Sequence, residues 1–228
     1  MIDHGHDLAS VRDATDRLLT AAARLDNAAV AEPSRLPGWT RGHVLAHLAR
    51  NADALVNVLE GRPMYVSGEA RDADIERGAP RPLDAQLADV RDSAARFQET
   101  AAAPADPSRT VELRNGVTDS ASRVPFRRWG EVELHHVDLG IGYELEDVPA
   151  EFAEREIDFL ARRFSGRPDV PPTRLTDGTH AWRTGREAAE PEVTVTGPAP
   201  GLLGWLAGRR DGSGLAVRGG SLPVLPPL

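Results

Sequence analysis

Arg127-Arg128-Trp129-Gly130-Glu131-Val132-Glu133-Leu134-His135-His136-Val137-Asp138-Leu139 is the stretch that decides how the chain is read. It belongs to a helix that starts near Val124-Pro125 and runs through Trp129, Leu134, Val137 and Leu139 to Gly140. Glu131 and His135 stand four apart, so they share one face with Cβ atoms about 5–6 Å from each other. A carboxylate and an imidazole at that spacing can close on one divalent ion in a bundle core; the plainer alternative is a helix-surface ion pair. His135 lies among apolar neighbours, where an imidazole without a partner costs about 1–3 kcal/mol. Asp138, three residues on, is placed to orient a ligand histidine through its other ring nitrogen, and His136 and Asn51 are further supporting candidates.

A second helix can supply the missing donor. Pro37-Gly38-Trp39 reads as a turn and Thr40 as the N-cap of a helix carrying Val44, Leu45, Leu48, Leu55, Val58 and Leu59, ended by Gly61 and Pro63. His43 and His47 form an i,i+4 pair on it, and either can be a third ligand. His47 sits beside Val44, Ala46 and Leu48, on or near the buried stripe. Two inward imidazoles and an inward glutamate from separate helices satisfy one another through a single ion. His4, His6 and His180 read as terminal or loop residues.

Outward from these two helices, Leu8, Val11, Leu18, Leu19, Ala22 and Leu25 mark an earlier amphipathic helix. Residues 61–82 read as a long loop with room for one short helix. Asp84 is expected to cap a helix with Leu87, Val90, Ala94 and Phe97 inward, followed by a Pro- and Asp-containing connection at 104–109 and a short strand at Thr110–Leu113. The character changes near residue 148. Glu151–Phe164 is amphipathic; Thr173–Leu175 and Ala181–Arg183 flank a hairpin signal at Thr176-Asp177-Gly178-Thr179; Glu192–Thr196 alternates as a strand does. Ala199–Arg209 reads as a short apolar helix and Leu215–Arg218 as a last strand. The expected fold is mainly α: a four-helix bundle over 1–148, then a small α+β domain over 149–228.

Composition narrows the chemistry. The 228 residues are 40% hydrophobic and 27% charged, enough for a real core. A net charge of −8 argues against nucleic acid as a partner, and no apolar run approaches the ~18 residues of a membrane span. The first residues show no basic segment followed by an apolar one, so a cytoplasmic location is expected; a monomer is expected as well. Cysteine is absent, and all 27 Lys+Arg residues are arginine. A protein thiolate, a Schiff-base lysine and a P-loop lysine are thereby excluded. Any chemistry rests on His, carboxylates, Arg, hydroxyls, a metal or a borrowed cofactor. Arg127-Arg128 and Arg209-Arg210 offer local positive charge for an anionic small-molecule substrate.

Three segments carry a resemblance. Leu36 to Asn51 resembles the opening motif of the mycothiol-dependent maleylpyruvate isomerases, and Arg127 to Leu139 resembles their second motif. Gly204-Trp205-Leu206-Ala207-Gly208-Arg209 resembles a segment of their C-terminal domain. The resemblance implies a DinB-like metal-binding bundle followed by a sterol-carrier-like α+β domain. It implies that His47, rather than His43, joins Glu131 and His135 as metal ligands, that the catalytic arginine is Arg209, and that Asp138 has a catalytic role. A His2Glu set leaves open positions, the catalytic pattern for Zn2+. The implied cofactors are that ion and mycothiol, a low-molecular-weight thiol brought from outside. The implied reaction is conversion of maleylpyruvate to fumarylpyruvate by thiolate addition to the cis double bond, rotation and elimination. A mycothiol S-transferase acting on another electrophile, and a non-catalytic small-molecule-binding protein, are the rival readings.

Overall fold

The computed structural model describes residues 3–102, 106–185 and 190–227; Pro104 and Ala105 of the expected 104–109 connection lie outside them. The chain divides into two compact units, Met1–Tyr143 and Glu144–Leu228, a division slightly ahead of the sequence boundary at residue 148. The architecture is mainly α, with a small α+β second unit.

The first unit contains α1 (His4–Ala22), α2 (Asn27–Ala31), α3 (Arg41–Leu59), α4 (Gly68–Gly78), α5 (Leu83–Ala102) and α6 (Val124–Asp138). Helices α1, α5, α3 and α6 pack in that cyclic order as a four-helix bundle. Their inward stripes supply Val11 and Leu18, Leu45 and Leu55, Val90 and Phe97, and Val132 and Val137, all buried. The start of α3 is fixed by a capping box. The Thr40 hydroxyl accepts from the His43 amide, and the His43 ring nitrogen Nδ1 accepts from the Thr40 amide at 3.1 Å.

Several local expectations change. Helix α1 ends at Ala22, leaving Leu25 outside it, and Asp26 then caps α2 by accepting from the Ala29 amide at 2.7 Å. The stretch read as a loop at 61–82 contains the 11-residue α4, capped by Ser67. It gave no periodic signal because Ile75 is its single buried residue among those described. Helix α4 lies hard against α3: a Cβ on Gly42 would run into the Ala79 carbonyl, and one on Gly78 would stand 2.7 Å from the Ala46 Cβ. Asp84 does not cap α5, which begins at Leu83. The Leu83 amide instead donates to the Asn27 side chain at 2.8 Å, a partner 56 residues away that no local pattern shows. Asp84 sits in the first turn, where a carboxylate still favours the helix N-terminus. Strand β1 (Thr110–Glu112) pairs antiparallel with β2 (Thr118–Ser120).

The second unit contains α7 (Ala150–Arg163), β3 (Thr173–Thr176), β4 (Ala181–Thr184), β5 (Val193–Thr196), α8 (Ala199–Leu206) and β6 (Ala216–Arg218). The sheet order is β4-β3-β5-β6, with β3 and β5 parallel and the outer pairs antiparallel. Val193 and Val195 are buried between Thr194 and Thr196, the alternation the sequence shows. Helix α7 packs on α8 and β4. The expected helix to Arg209 stops at Leu206. Gly208 takes a φ of 71°, the Gly208 amide donates to the Trp205 carbonyl and the Arg209 amide to the Gly204 carbonyl, a Schellman ending.

Candidate metal centre

The two motifs meet across the α3–α6 contact. Nε2 of His47 lies 3.0 Å from Oε2 of Glu131, and Nε2 of His135 lies 3.3 Å from the same oxygen. Ligand-type atoms of these three side chains fall within 4.8 Å of one another, the one such group of three among the described residues. The two imidazoles stand edge to face, 4.6 Å between centroids. His47 is 5% exposed, because the capping box fixes α3 one turn earlier and turns its ring to the bundle interior. His43, the alternative third ligand, is occupied as part of that cap and stacks on Trp39. On α6, Glu131 and His135 lie one turn apart on the same face, as their spacing requires.

Neighbouring groups set the state of each donor. Burial, reinforced by the nearby His135, pushes His47 down to about 4, against the opposing pull of Glu131. Burial works in the same direction on His135, yet hydrogen bonds to Asp138 and Glu131 raise it above the ordinary imidazole value. Burial likewise opposes the charge of Glu131, and the hydrogen bonds and charges of both histidines override it, holding the carboxylate well below its usual range. Asp138 is fully buried, and its Oδ2 lies 2.8 Å from Nδ1 of His135. That contact leaves Nε2 of His135 turned toward Glu131, the function expected of a carboxylate behind a ligand histidine.

One turn away along the same helix pair, Arg128 donates from Nη1 to the Asn51 side chain at 2.8 Å. Arg128 is 1% exposed, its Nε and Nη2 have no hydrogen-bond partner among the described residues, and burial brings its guanidinium down to about 10 while Glu131 pulls the other way. Arg127, paired with it in sequence, bonds Asp119 at 2.6 Å. The adjacent pair therefore serves two different purposes. Glu133 faces away from the centre and is consumed by Arg17 at 2.6 Å, Trp129 at 2.9 Å and Tyr143 at 2.6 Å.

Two residues of the site were not read from the sequence. Arg71 on α4 donates from Nη2 to Nδ1 of His47 at 3.2 Å, and its carbon Cζ stands 5.9 Å from the Tyr65 ring. Burial and the Glu131 charge raise the Tyr65 phenol above its ordinary value. Both residues fall in the stretch that lacked periodicity. A Ser67 cap followed by an acidic first turn was the available signal. Arg209 belongs to the second unit, where its Nη1 donates to the Ala207 carbonyl at 2.7 Å beside a cavity of about 610 Å³ also lined by Trp205 and Leu222.

A helical bundle whose facing helices bring two imidazoles and one carboxylate together, followed by a small α+β unit, defines a class of protein able to hold a metal between α3 and α6. Residues 11–140 match the family model of the mycothiol maleylpyruvate isomerase N-terminal domain, and residues 147–227 match that of the MDMPI C-terminal domain. The chain belongs to the mycothiol maleylpyruvate isomerase family. A crystal structure of the mycothiol-dependent maleylpyruvate isomerase is similar to it at 29% identity with a TM-score of 0.88, covering 99% of this chain and 97% of that one. A crystal structure of a histidine-to-alanine mutant of that isomerase matches equally well, with a TM-score of 0.88. No curated protein matches the chain significantly.

Proposed function

We propose that the chain is a metal- and thiol-dependent cis–trans isomerase converting maleylpyruvate to fumarylpyruvate, with zinc held by His47, Glu131 and His135 and mycothiol as the thiol. The observation that carries this reading is the convergence of those three side chains from α3 and α6, in a chain both of whose units match the family. Two imidazoles and a carboxylate suit zinc and leave coordination positions open. An ion of this kind with a small thiol beside it supplies a thiolate at neutral pH, the nucleophile for reversible addition to an activated cis double bond.

The chain's own residues supply the rest. His47 stays neutral at pH 7, with a lone pair ready for an ion. Asp138 fixes the tautomer and tilt of His135. The absence of cysteine means that no protein thiol competes for the ion. The domain over 149–228 contributes Arg209, which we assign to a substrate carboxylate or to the negative charge that develops during the reaction. A cytoplasmic monomer acting on a small anionic substrate completes the reading. The test is to supply maleylpyruvate with a small amount of mycothiol and follow product and free thiol together. Many turnovers per thiol, with none consumed, are expected. Stoichiometric loss of thiol would identify an S-transferase instead, and the absence of any reaction would favour a binding protein.

A further inference from the structure

The two histidines of the centre have opposite partners behind them. Nε2 of each ring faces Oε2 of Glu131, so an ion held by these residues would draw on the Nε2 lone pairs and leave the ring proton of each on Nδ1. A ligand histidine donates that proton to a carboxylate, a carbonyl or water. His135 has such an acceptor in Asp138 at 2.8 Å. His47 has Arg71, whose Nη2 stands 3.2 Å from Nδ1. A guanidinium has five donors and no acceptor. The contact is sound in the metal-free ring, where Nδ1 accepts. With Nε2 committed to an ion, two donors face each other and require an acceptor between them.

The surroundings say what kind of acceptor. Arg71 is held by α4, and the close approach of Gly42 and Gly78 to their neighbours fixes that helix on α3. Its side chain is 12% exposed, so it borders solvent, unlike Arg128. Its one ion-pair partner among the described residues is Asp72, bonded to Nη1 at 2.7 Å and itself 63% exposed. Tyr65 lies next to it and also lines a cavity of about 580 Å³ bordered by Arg62, Arg109 and Arg114. A planar anion seated between Arg71 and the His47 ring would meet a guanidinium edge and an imidazole N–H together.

We propose that Arg71 and Nδ1 of His47 form a carboxylate subsite that exists only in the metal-loaded protein, and that it binds a carboxylate of the substrate beside the ion. This rests on the metal reading above and adds to it a residue that selects the substrate. With an ion bound, Nδ1 of His47 would donate instead of accept, Arg71 would have to give up its direct contact with the ring, and a carboxylate would bridge the two. One charge-assisted pair of this kind changes affinity by ~tenfold or more.

The experiment uses zinc-loaded and zinc-free full-length protein, with maleate as the probe and no thiol present. Zinc content and maleate affinity are measured on the same preparations of the wild type, Arg71→Met and Arg71→Lys. Zinc-loaded wild type should bind maleate ~tenfold or more tightly than the zinc-free form. Arg71→Met should retain its zinc and lose that gain, while Arg71→Lys, which keeps the charge without the planar edge, should fall between. Equal maleate affinity in zinc-loaded wild type and Arg71→Met overturns the subsite, as does a wild type that binds maleate equally with and without zinc or not at all when loaded. Those results leave the metal reading standing. A wild type that takes up no zinc removes the metal reading and the subsite with it.

Discussion

His47 and His135 stand a few ångströms apart and are driven in opposite directions. His47, its ring buried and backed by a guanidinium, is pushed down to about 4; His135, backed by a buried carboxylate, is raised. In the metal-free protein the consequence has a definite sign. Between the ordinary value of 6.5 and about 4, the unfolded chain takes up a proton at residue 47 that the folded chain refuses. Stability therefore falls as pH falls through that window, and His47 adds no slope above it. His135 acts the other way: its contribution is complete below the unfolded value and is lost as pH rises through the raised folded one. Urea midpoints of the metal-free protein at neutral pH and near pH 5 should drop less for His47→Gln than for the wild type. Equal drops would contradict the assignment. The sequence made these residue types and their spacing readable. It also put Asp138 behind a ligand histidine, but it did not show the charge behind His47, because Arg71 reaches that ring from another helix.

At the level of elements, α3 and α6 were legible because each carries its own signals: Thr40 and the Pro37-Gly38-Trp39 turn for one, Pro125 and the apolar spacing of Trp129, Leu134 and Val137 for the other. Helix α4 was not, since it rests on one buried side chain and on the smallness of Gly42 and Gly78. The start of α5 was misplaced for a related reason: its first amide is satisfied from Asn27, far away in sequence. The C-terminal end of α8 was overrun because Gly208 is decisive only once its positive φ is known. Bundle packing around these helices is tested most simply at Phe97, which is fully buried on α5. Phe97→Ala should cost about 3–5 kcal/mol of unfolding free energy in a denaturant titration. A loss below about 1 kcal/mol would mean that this part of the bundle is not close-packed.

For the whole molecule, both family models fall on the chain in order, and the sequence places its expected change from bundle to α+β domain near residue 148, ahead of one more amphipathic helix. The function proposed for Arg209, a residue of the second unit, is tested at this scale. Arg209→Ala should keep the ion and lose turnover, whereas His47→Ala should lose both. An active Arg209→Ala protein would remove Arg209 from the chemistry.

Three side chains holding one cation underlie every step proposed for the chain. Metal content per chain, determined on the wild type and on His47→Ala, Glu131→Ala and His135→Ala purified side by side, tests that directly. One equivalent of zinc in the wild type and a small fraction of it in each variant is the result expected. A full equivalent retained by all three variants would contradict the account.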